Sequence, residues 1–281
     1  MLAALPLALA SCLSPAAAAD VARDATPSGQ TLPEQTLPEQ TLNFTNDVLP
    51  LLTKHGCNSG GCHGRGSGQN GFKLSLLAFD PAADYAALAD EGLGRRVSWT
   101  APDESLMLLK ATGQVAHGGG VRFERESSAY QLLRQWIAQG TPWGDEKDPA
   151  LARIAVEPPE RLLSPGETLP LRVTAHYSDG STRDVTATAE YFSQQPAHLE
   201  VSGEGQVRAL DQRGDAAITV RYMGIVAIAR LAIPFRQDLP EQVYAGFQPK
   251  SFVDQLALEK WRKLGLAPSP AASDAEFLRR A

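Results

Sequence analysis

Residues 171–177, Leu-Arg-Val-Thr-Ala-His-Tyr, carry the pattern that decides the fold of the C-terminal half of the chain. Every second residue, beginning at Leu171, is apolar, and its neighbours are mostly polar. A period of two residues is typical of a β-strand that buries one face. The following residues, Ser178-Asp179-Gly180-Ser181, supply a turn. The stretch therefore predicts a strand that enters a hairpin.

Further short apolar runs follow this strand. They lie at residues 185–189, 199–201, 207–210, 217–222 and 225–233. Six to eight short strands with turn signals between them are typical of an immunoglobulin-like sandwich. The Cys-Trp-Cys core of antibody domains is missing from the sequence. We therefore predict an all-β immunoglobulin-like domain over residues 151–236.

Residues 41–144 have the periodicity of helices instead. Phe44, Val48, Leu51 and Leu52 share one helical face. A second amphipathic helix is predicted from Ser127 to Gln139, with a glycine directly after it as the C-terminal stop. We therefore predict a mainly α module here, and a multidomain chain overall.

The sequence Cys57-Asn-Ser-Gly-Gly-Cys62-His63 carries the strongest chemical signal in the chain. The signature for covalent haem is C-x-x-C-H, and here the spacer has four residues. Two thiols would form thioethers with the haem vinyl groups, and His63 would be the proximal iron ligand. Gly60 and Gly61 are expected to let the longer loop bulge. This interpretation predicts haem c attached at Cys57 and Cys62.

A second interpretation of the same motif stays open. Cys57 and Cys62 could form a small exposed disulfide in an oxidising compartment. That reading leaves His63 without a role. A zinc site is disfavoured because four ligands do not occur nearby.

Electron transfer by haem usually needs a second axial ligand. His117 lies in the glycine segment 117–120, which can approach a ring face, and it is the preferred candidate. Met107 is the less favoured one, because it sits among leucines on a predicted helix, where a core role is common. His55 is a third candidate, although a solvent-facing position at a helix end is expected for it.

Several of these motifs together resemble the cytochrome c-like domain of planctomycete-type multidomain proteins. The matching segments are residues 56–64, 70–76, 94–96, 105–110, 117–120 and 136–137. The resemblance implies haem c binding and electron transfer, with Cys57, Cys62 and His63 carried over directly and His117 more weakly. Residues 165–168, 177–186 and 214–222 resemble group 2 bacterial immunoglobulin-like domains, and this resemblance implies a spacer or an adhesive unit.

The N-terminus predicts export from the cytoplasm. Residues 1–19 form a short apolar stretch that ends in four alanines, as in a signal peptide. Leu9-Ala-Ser-Cys12 also resembles a lipobox, in which Cys12 would carry a lipid. Residues 20–40 contain two copies of Thr-Leu-Pro-Glu-Gln and predict a flexible linker. The expected location is the periplasm or the cell surface, with or without a lipid anchor.

The C-terminal residues predict the start of another domain. Residues 237–250 are a linker, and Ser251 with Asp254 forms a capping box that opens a helix, which Gly265 can stop. Residues 251–281 resemble the truncated opening of the uncharacterised helical domain that often follows the other two. The chain is therefore expected to be part of a longer protein.

The charge balance excludes one class of partner. The chain has 26 basic and 32 acidic residues, a net charge of −6, whereas nucleic-acid binding needs a basic surface. A membrane contact is expected only through a lipid on Cys12. We identify no catalytic residues, so the sequence favours an electron carrier that serves a redox partner protein or an adjoining domain. The alternative is a cell-surface interaction or adhesion protein with a Cys57–Cys62 disulfide and no haem.

Overall fold

The computed structural model describes residues 41–145, 147–237 and 239–280. The predictions made for the signal sequence, for the lipid on Cys12 and for the linker over residues 20–40 lie outside these residues. None of the helices in the described ranges has the length and apolarity needed to cross a bilayer.

Short helices joined by long turns form the first part of the described chain. A π-helical turn, Phe44–Val48, leads directly into the first α-helix. The α-helices of this part are α1 (Leu49–Lys54), α2 (Pro81–Tyr85), α3 (Leu106–Ala111) and α4 (Ser128–Ala138). A second π-helical turn, Ala86–Asp90, extends α2, and 3₁₀ turns lie at Leu76–Ala78, Gly92–Gly94 and Pro102–Glu104.

Helix α4 confirms the prediction made for residues 127–139. The Ser127 hydroxyl accepts a hydrogen bond from the Tyr130 N–H at 3.2 Å, which satisfies one free donor of the first turn. Gly140 follows the helix with φ 83°, a left-handed conformation that a side chain would strain. The predicted helix and its predicted glycine stop are both confirmed.

An aromatic cluster forms the centre of this helical part. The fully buried ring of Trp136 on α4 lies 5.6 Å from the ring of Phe44. The Phe44 ring stacks on Trp143 and meets Tyr85 edge-on. Trp136 Nε1 donates to the Pro142 carbonyl at 2.9 Å, so the buried indole is also satisfied as a donor. The cluster joins the first turn of this helical part to α4, the last helix before the strands.

The second part of the chain consists of β-strands. They are β1 (Leu151–Glu157), β2 (Glu160–Leu162), β3 (Thr168–Pro170), β4 (Arg172–Tyr177), β5 (Thr182–Asp184), β6 (Glu190–Ser193), β7 (Leu199–Val201), β8 (Gln206–Ala209), β9 (Gly214–Tyr222) and β10 (Ile225–Ile233). Within the described residues they form sheets of order β1-β4-β5, β2-β10-β9-β6 and β3-β8-β7. All pairs are antiparallel except β2 with β10, which is parallel.

The buried face of β4 matches the alternation in the sequence. Val173, Ala175 and Tyr177 are buried in one apolar core with Leu171, while the intervening side chains are exposed or half-buried. Strand β9 repeats the pattern and contributes Ile218 and other side chains to the same core. The predicted strand periodicity is confirmed.

The predicted fold class is wrong. The chain is a mixed structure of helices and several small sheets, and a mainly α cytochrome c-like module is not seen. The physical reason lies in residues 55–105, where glycines and turns with positive φ leave α1, α2 and α3 only five or six residues long. The predicted domain boundaries remain predictions.

Polar contacts join the helical part to the strands. Arg183 on β5 pairs with Asp47 at 2.7 Å. Lys54 at the end of α1 donates to main-chain carbonyls of the strand region, those of Ala189 and Gly203. Met223, in the turn between β9 and β10, packs against the apolar cores of both parts.

Helices follow the last strand. They are a 3₁₀ turn at Glu241–Tyr244, α5 (Phe252–Leu264) and α6 (Asp274–Arg280). Ser251 and Asp254 form the predicted capping box, and Gly265 ends α5 as predicted. Ion pairs between Lys260 and Asp215 and between Lys263 and Glu160 attach α5 to the strands.

Candidate functional site

A cavity of about 560 Å³ lies in the helical part of the chain. Its wall combines side chains from α1, from the loop that follows α1, from α3 and from the loop before α4. Five of the six residues singled out in the sequence line it: Cys57, Cys62, His63, Met107 and His117. The fold thus brings together residues that lie up to 60 positions apart.

The Cys57–His63 loop is held by its own main chain. The Cys57 N–H donates to the Leu52 carbonyl at 2.8 Å, and the His63 N–H donates to the Cys57 carbonyl at 3.0 Å. The glycine that this loop requires is Gly64, because a Cβ there would lie 1.9 Å from the Asn58 carbonyl oxygen. Gly60 and Gly61, expected to shape the loop, meet no such crowding.

The imidazoles of His63 and His117 face each other across the cavity. Their ring planes are 9° apart, and their centroids are separated by 6.2 Å. Each ring is oriented through Nδ1, which lies 3.1 Å from the Phe72 carbonyl for His63 and 2.8 Å from the Gly120 carbonyl for His117. Burial lowers the pKa of His63, a shift that the Phe72 carbonyl partly opposes, so this imidazole is neutral at pH 7.

The two thiols have different surroundings. Burial raises the pKa of the Cys57 thiol from 9.0 to about 11, so the thiol stays protonated at neutral pH. The Cys62 sulfur lies 3.5 Å from the guanidinium of Arg122. Both cysteines are free and partly accessible.

The two less favoured candidates for the second axial ligand, Met107 and His55, lie in different surroundings. Met107 is half-buried and lines the cavity wall. His55 does not face solvent freely as expected: its Nδ1 lies 3.0 Å from the Arg122 carbonyl, and its ring meets Phe123 edge-on. Burial lowers the pKa of His55. His55 is not among the residues that line the cavity.

The sequence interpretation missed the cations of the cavity wall. Arg95, Arg96, Lys110 and Arg122 line the cavity, and no carboxylate does so among the described residues. The Arg95-Arg96 pair is visible in the sequence, but its contact with the loop after Cys57 depends on the tertiary fold. The Arg96 guanidinium donates a hydrogen bond to the carbonyl of Gly71, in the loop after Cys57, at 2.9 Å.

Comparison with known proteins gives a partial sequence relative. The chain is 37% identical over 90 residues to an S-layer-related protein of Niallia circulans; the match spans 32% of this chain and 5% of that protein. The chain thus spans a small fraction of the relative that it matches. No family model matches the chain.

Solved structures give weaker likenesses. The S-layer protein SbsC matches in domains 4 and 5, with 17% identity, a TM-score of 0.26, and coverage of 31% of this chain and 53% of that one. Domains 5–6 of SbsC match with 17% identity, a TM-score of 0.28, and coverage of 33% and 48%. At these scores the superpositions do not define the fold of this chain.

These findings correct the predicted family and cofactor. The resemblance to a cytochrome c-like domain is wrong, because the sequence relative is S-layer-related. The prediction of haem c, with iron and electron transfer, is wrong for the same reason. In the described part of the chain, no group of three or more His, Cys, Asp or Glu side chains could hold a metal ion. The match favours a cell-surface protein, which was the alternative interpretation, over a haem cytochrome; export was expected under both.

Proposed function

We propose that this chain is an exported cell-surface interaction protein whose strands contact other proteins of the surface. The 90-residue match to an S-layer-related protein is the observation that carries the proposal. A lipid on Cys12 is not needed for it. The strand region supplies the contact surface.

The contact surface that we assign is the outer face of the sheet β2-β10-β9-β6. The apolar side chains exposed there include Phe192 on β6 at 41%, and Val226 and Ile228 on β10 at 53% and 45%. In the strand register, Thr219 of β9 pairs with Phe192 on one side and with Ile228 on the other. Phe192, Thr219 and Ile228 therefore form one row across the sheet. Clustered exposed apolar side chains are typical of protein contact sites.

A charged pair rigidifies the same face. Arg221 on β9 donates two hydrogen bonds of 2.8 Å to the carboxylate of Glu190, and its guanidinium lies 5.1 Å from the centre of the Phe192 ring. Fixed aromatic and arginine side chains cost little conformational entropy on binding, and both types are enriched in protein interfaces. The outer face of this sheet, which we call the β6–β10 face, therefore suits protein contact.

The location is testable on intact cells. Whole cells that export the full chain are treated with a membrane-impermeant, amine-reactive biotin reagent, which would reach exposed lysines such as Lys250. We expect the protein to be labelled before lysis, whereas a cytoplasmic control protein is labelled only after lysis. Labelling of this chain only after lysis would contradict the proposal.

The proposal includes a disulfide between Cys57 and Cys62. In an oxidising compartment the two thiols would lose two protons, and their two electrons would reduce the disulfide of a thiol oxidoreductase. Support comes from their shared position on the cavity wall and from the short loop, in which the Cys62 N–H donates to the Ser59 carbonyl at 3.0 Å.

Thiol chemistry tests this disulfide. Protein isolated from the exported fraction should have Cys57 and Cys62 linked, and mass spectrometry after alkylation in urea should find neither labelled. In reduced, folded protein at pH 8, Cys57 should react with iodoacetamide about 100-fold more slowly than in urea, because a pKa of about 11 instead of 9.0 lowers its thiolate fraction by that factor. Two labelled cysteines in the exported protein would exclude the disulfide.

A further inference from the structure

The cavity wall combines apolar side chains with positively charged ones. Its apolar lining includes Leu52, Leu74, Leu88 and Phe123, and each of these side chains is largely or fully buried. The charged lining is cationic only, as described above. A volume of about 560 Å³ lies within the range of small-molecule sites.

One cation of the wall is built into it. Arg96 is buried, donates to the carbonyls of Ala87 at 2.7 Å and Gly71 at 2.9 Å, and lies 4.8 Å from the centre of the Phe72 ring. Its nearest carboxylate, that of Glu91, is 3.9 Å away and itself exposed. Arg96 therefore gives the cavity a fixed positive potential that is only partly neutralised.

Arg122 has an unfilled hydrogen-bonding site. Its Nη2 donates to the Gly119 carbonyl and approaches the Cys62 sulfur. Its Nε is buried and has no hydrogen-bond partner, and no carboxylate of the described residues pairs with this guanidinium. The positive charge of this partly buried guanidinium is therefore not compensated by any described carboxylate, and an anion in the cavity would compensate it.

We propose that this cavity binds a small organic anion with an apolar body, such as a medium-chain carboxylate. The apolar body would contact the leucines and Phe123, and the anionic head would accept hydrogen bonds from Arg122 in the positive field of Arg95 and Arg96. Charge complementarity argues for an anion, because a cation would meet only like charges. This binding site is independent of the β6–β10 face.

Calorimetric titration of the full chain with decanoate tests the proposal, with decan-1-ol as the uncharged match. We expect saturable binding of one decanoate per chain, with decanol at least tenfold weaker, because a hydrogen bond to a charged group is the main difference. Shorter carboxylates should bind about fourfold more weakly for each CH₂ removed. Equal binding of decanoate and decanol would overturn the anionic part of the proposal, and no binding of either would overturn all of it.

Two variants locate the site. Arg122→Gln should weaken decanoate at least tenfold, whereas Arg65→Gln, which removes an exposed cation outside the cavity lining, should leave it unchanged. Ala116→Trp places a large side chain in the cavity from an exposed position and should abolish binding without loss of the folded state by circular dichroism. Full binding by folded Ala116→Trp would show that decanoate binds elsewhere.

Discussion

Trp136→Ala should destabilise the chain by about 3–5 kcal/mol, the usual cost of removing a large buried aromatic side chain. The indole is fully buried and packs against Phe44 and Tyr85. Its loss would also leave the Pro142 carbonyl without the donor now 2.9 Å away. Urea unfolding followed by circular dichroism measures the change in free energy.

Trp99→Ala is the matched control for that substitution. Trp99 is 59% exposed, so its removal should change the free energy of unfolding by no more than about 0.5 kcal/mol. A loss below about 1 kcal/mol for Trp136→Ala would mean that the aromatic cluster does not organise the helical part.

Ile218→Ala should cost about 2–5 kcal/mol, whereas Ile228→Ala on the neighbouring strand should cost no more than about 0.5 kcal/mol. Ile218 is fully buried in the core between the sheets, and Ile228 is 45% exposed on the outer face. The strand register pairs Ile218 with Ala229 and Thr219 with Ile228, which puts the two isoleucines on opposite faces.

The same pair of variants tests the register of β9 and β10. A slip of one residue would move each side chain to the other face of the sheet. Reversed costs, with Ile228→Ala the more damaging variant, would contradict the register described above. Urea unfolding of both variants under one set of conditions makes the comparison.

Short sequence patterns predicted the helices and strands that bury one face against the core. The alternation that begins at Leu171 and the glycine stop at Gly140 depend on neighbours in sequence, and the structure has both. The fold class could not be predicted so well, because helical periodicity at Phe44 and Leu52 says nothing about how soon turns interrupt a helix.

The cavity brings together five residues that the sequence singled out, whereas its cationic wall was not predicted. Spacing showed that Cys57, Cys62 and His63 lie together, but proximity does not name a cofactor, and haem was inferred from a signature with a different spacer. Arg122 was missed because its approach to Cys62 joins residues 60 positions apart. The role of Gly64 was missed because the Asn58 carbonyl that crowds it is placed by the fold of the loop.

Contact with other surface proteins through the β6–β10 face is tested most directly by measuring how much of the protein stays on cells. The variant Phe192→Ser, Val226→Thr, Ile228→Thr removes three exposed apolar side chains of this face. The control Phe252→Ser, Val253→Thr, Leu256→Ser removes three exposed apolar side chains of α5. Both are exported in the full chain, and the cell-bound fraction is measured after washing.

We expect the β6–β10 variant to be retained at least tenfold less than the wild type, and the α5 variant to be retained as the wild type is. The free energy of unfolding of the two variants should stay close to that of the wild type, because all six side chains are exposed. If the folded β6–β10 variant is retained as well as the wild type, this face does not make the contact. The strand region would then act only as a spacer.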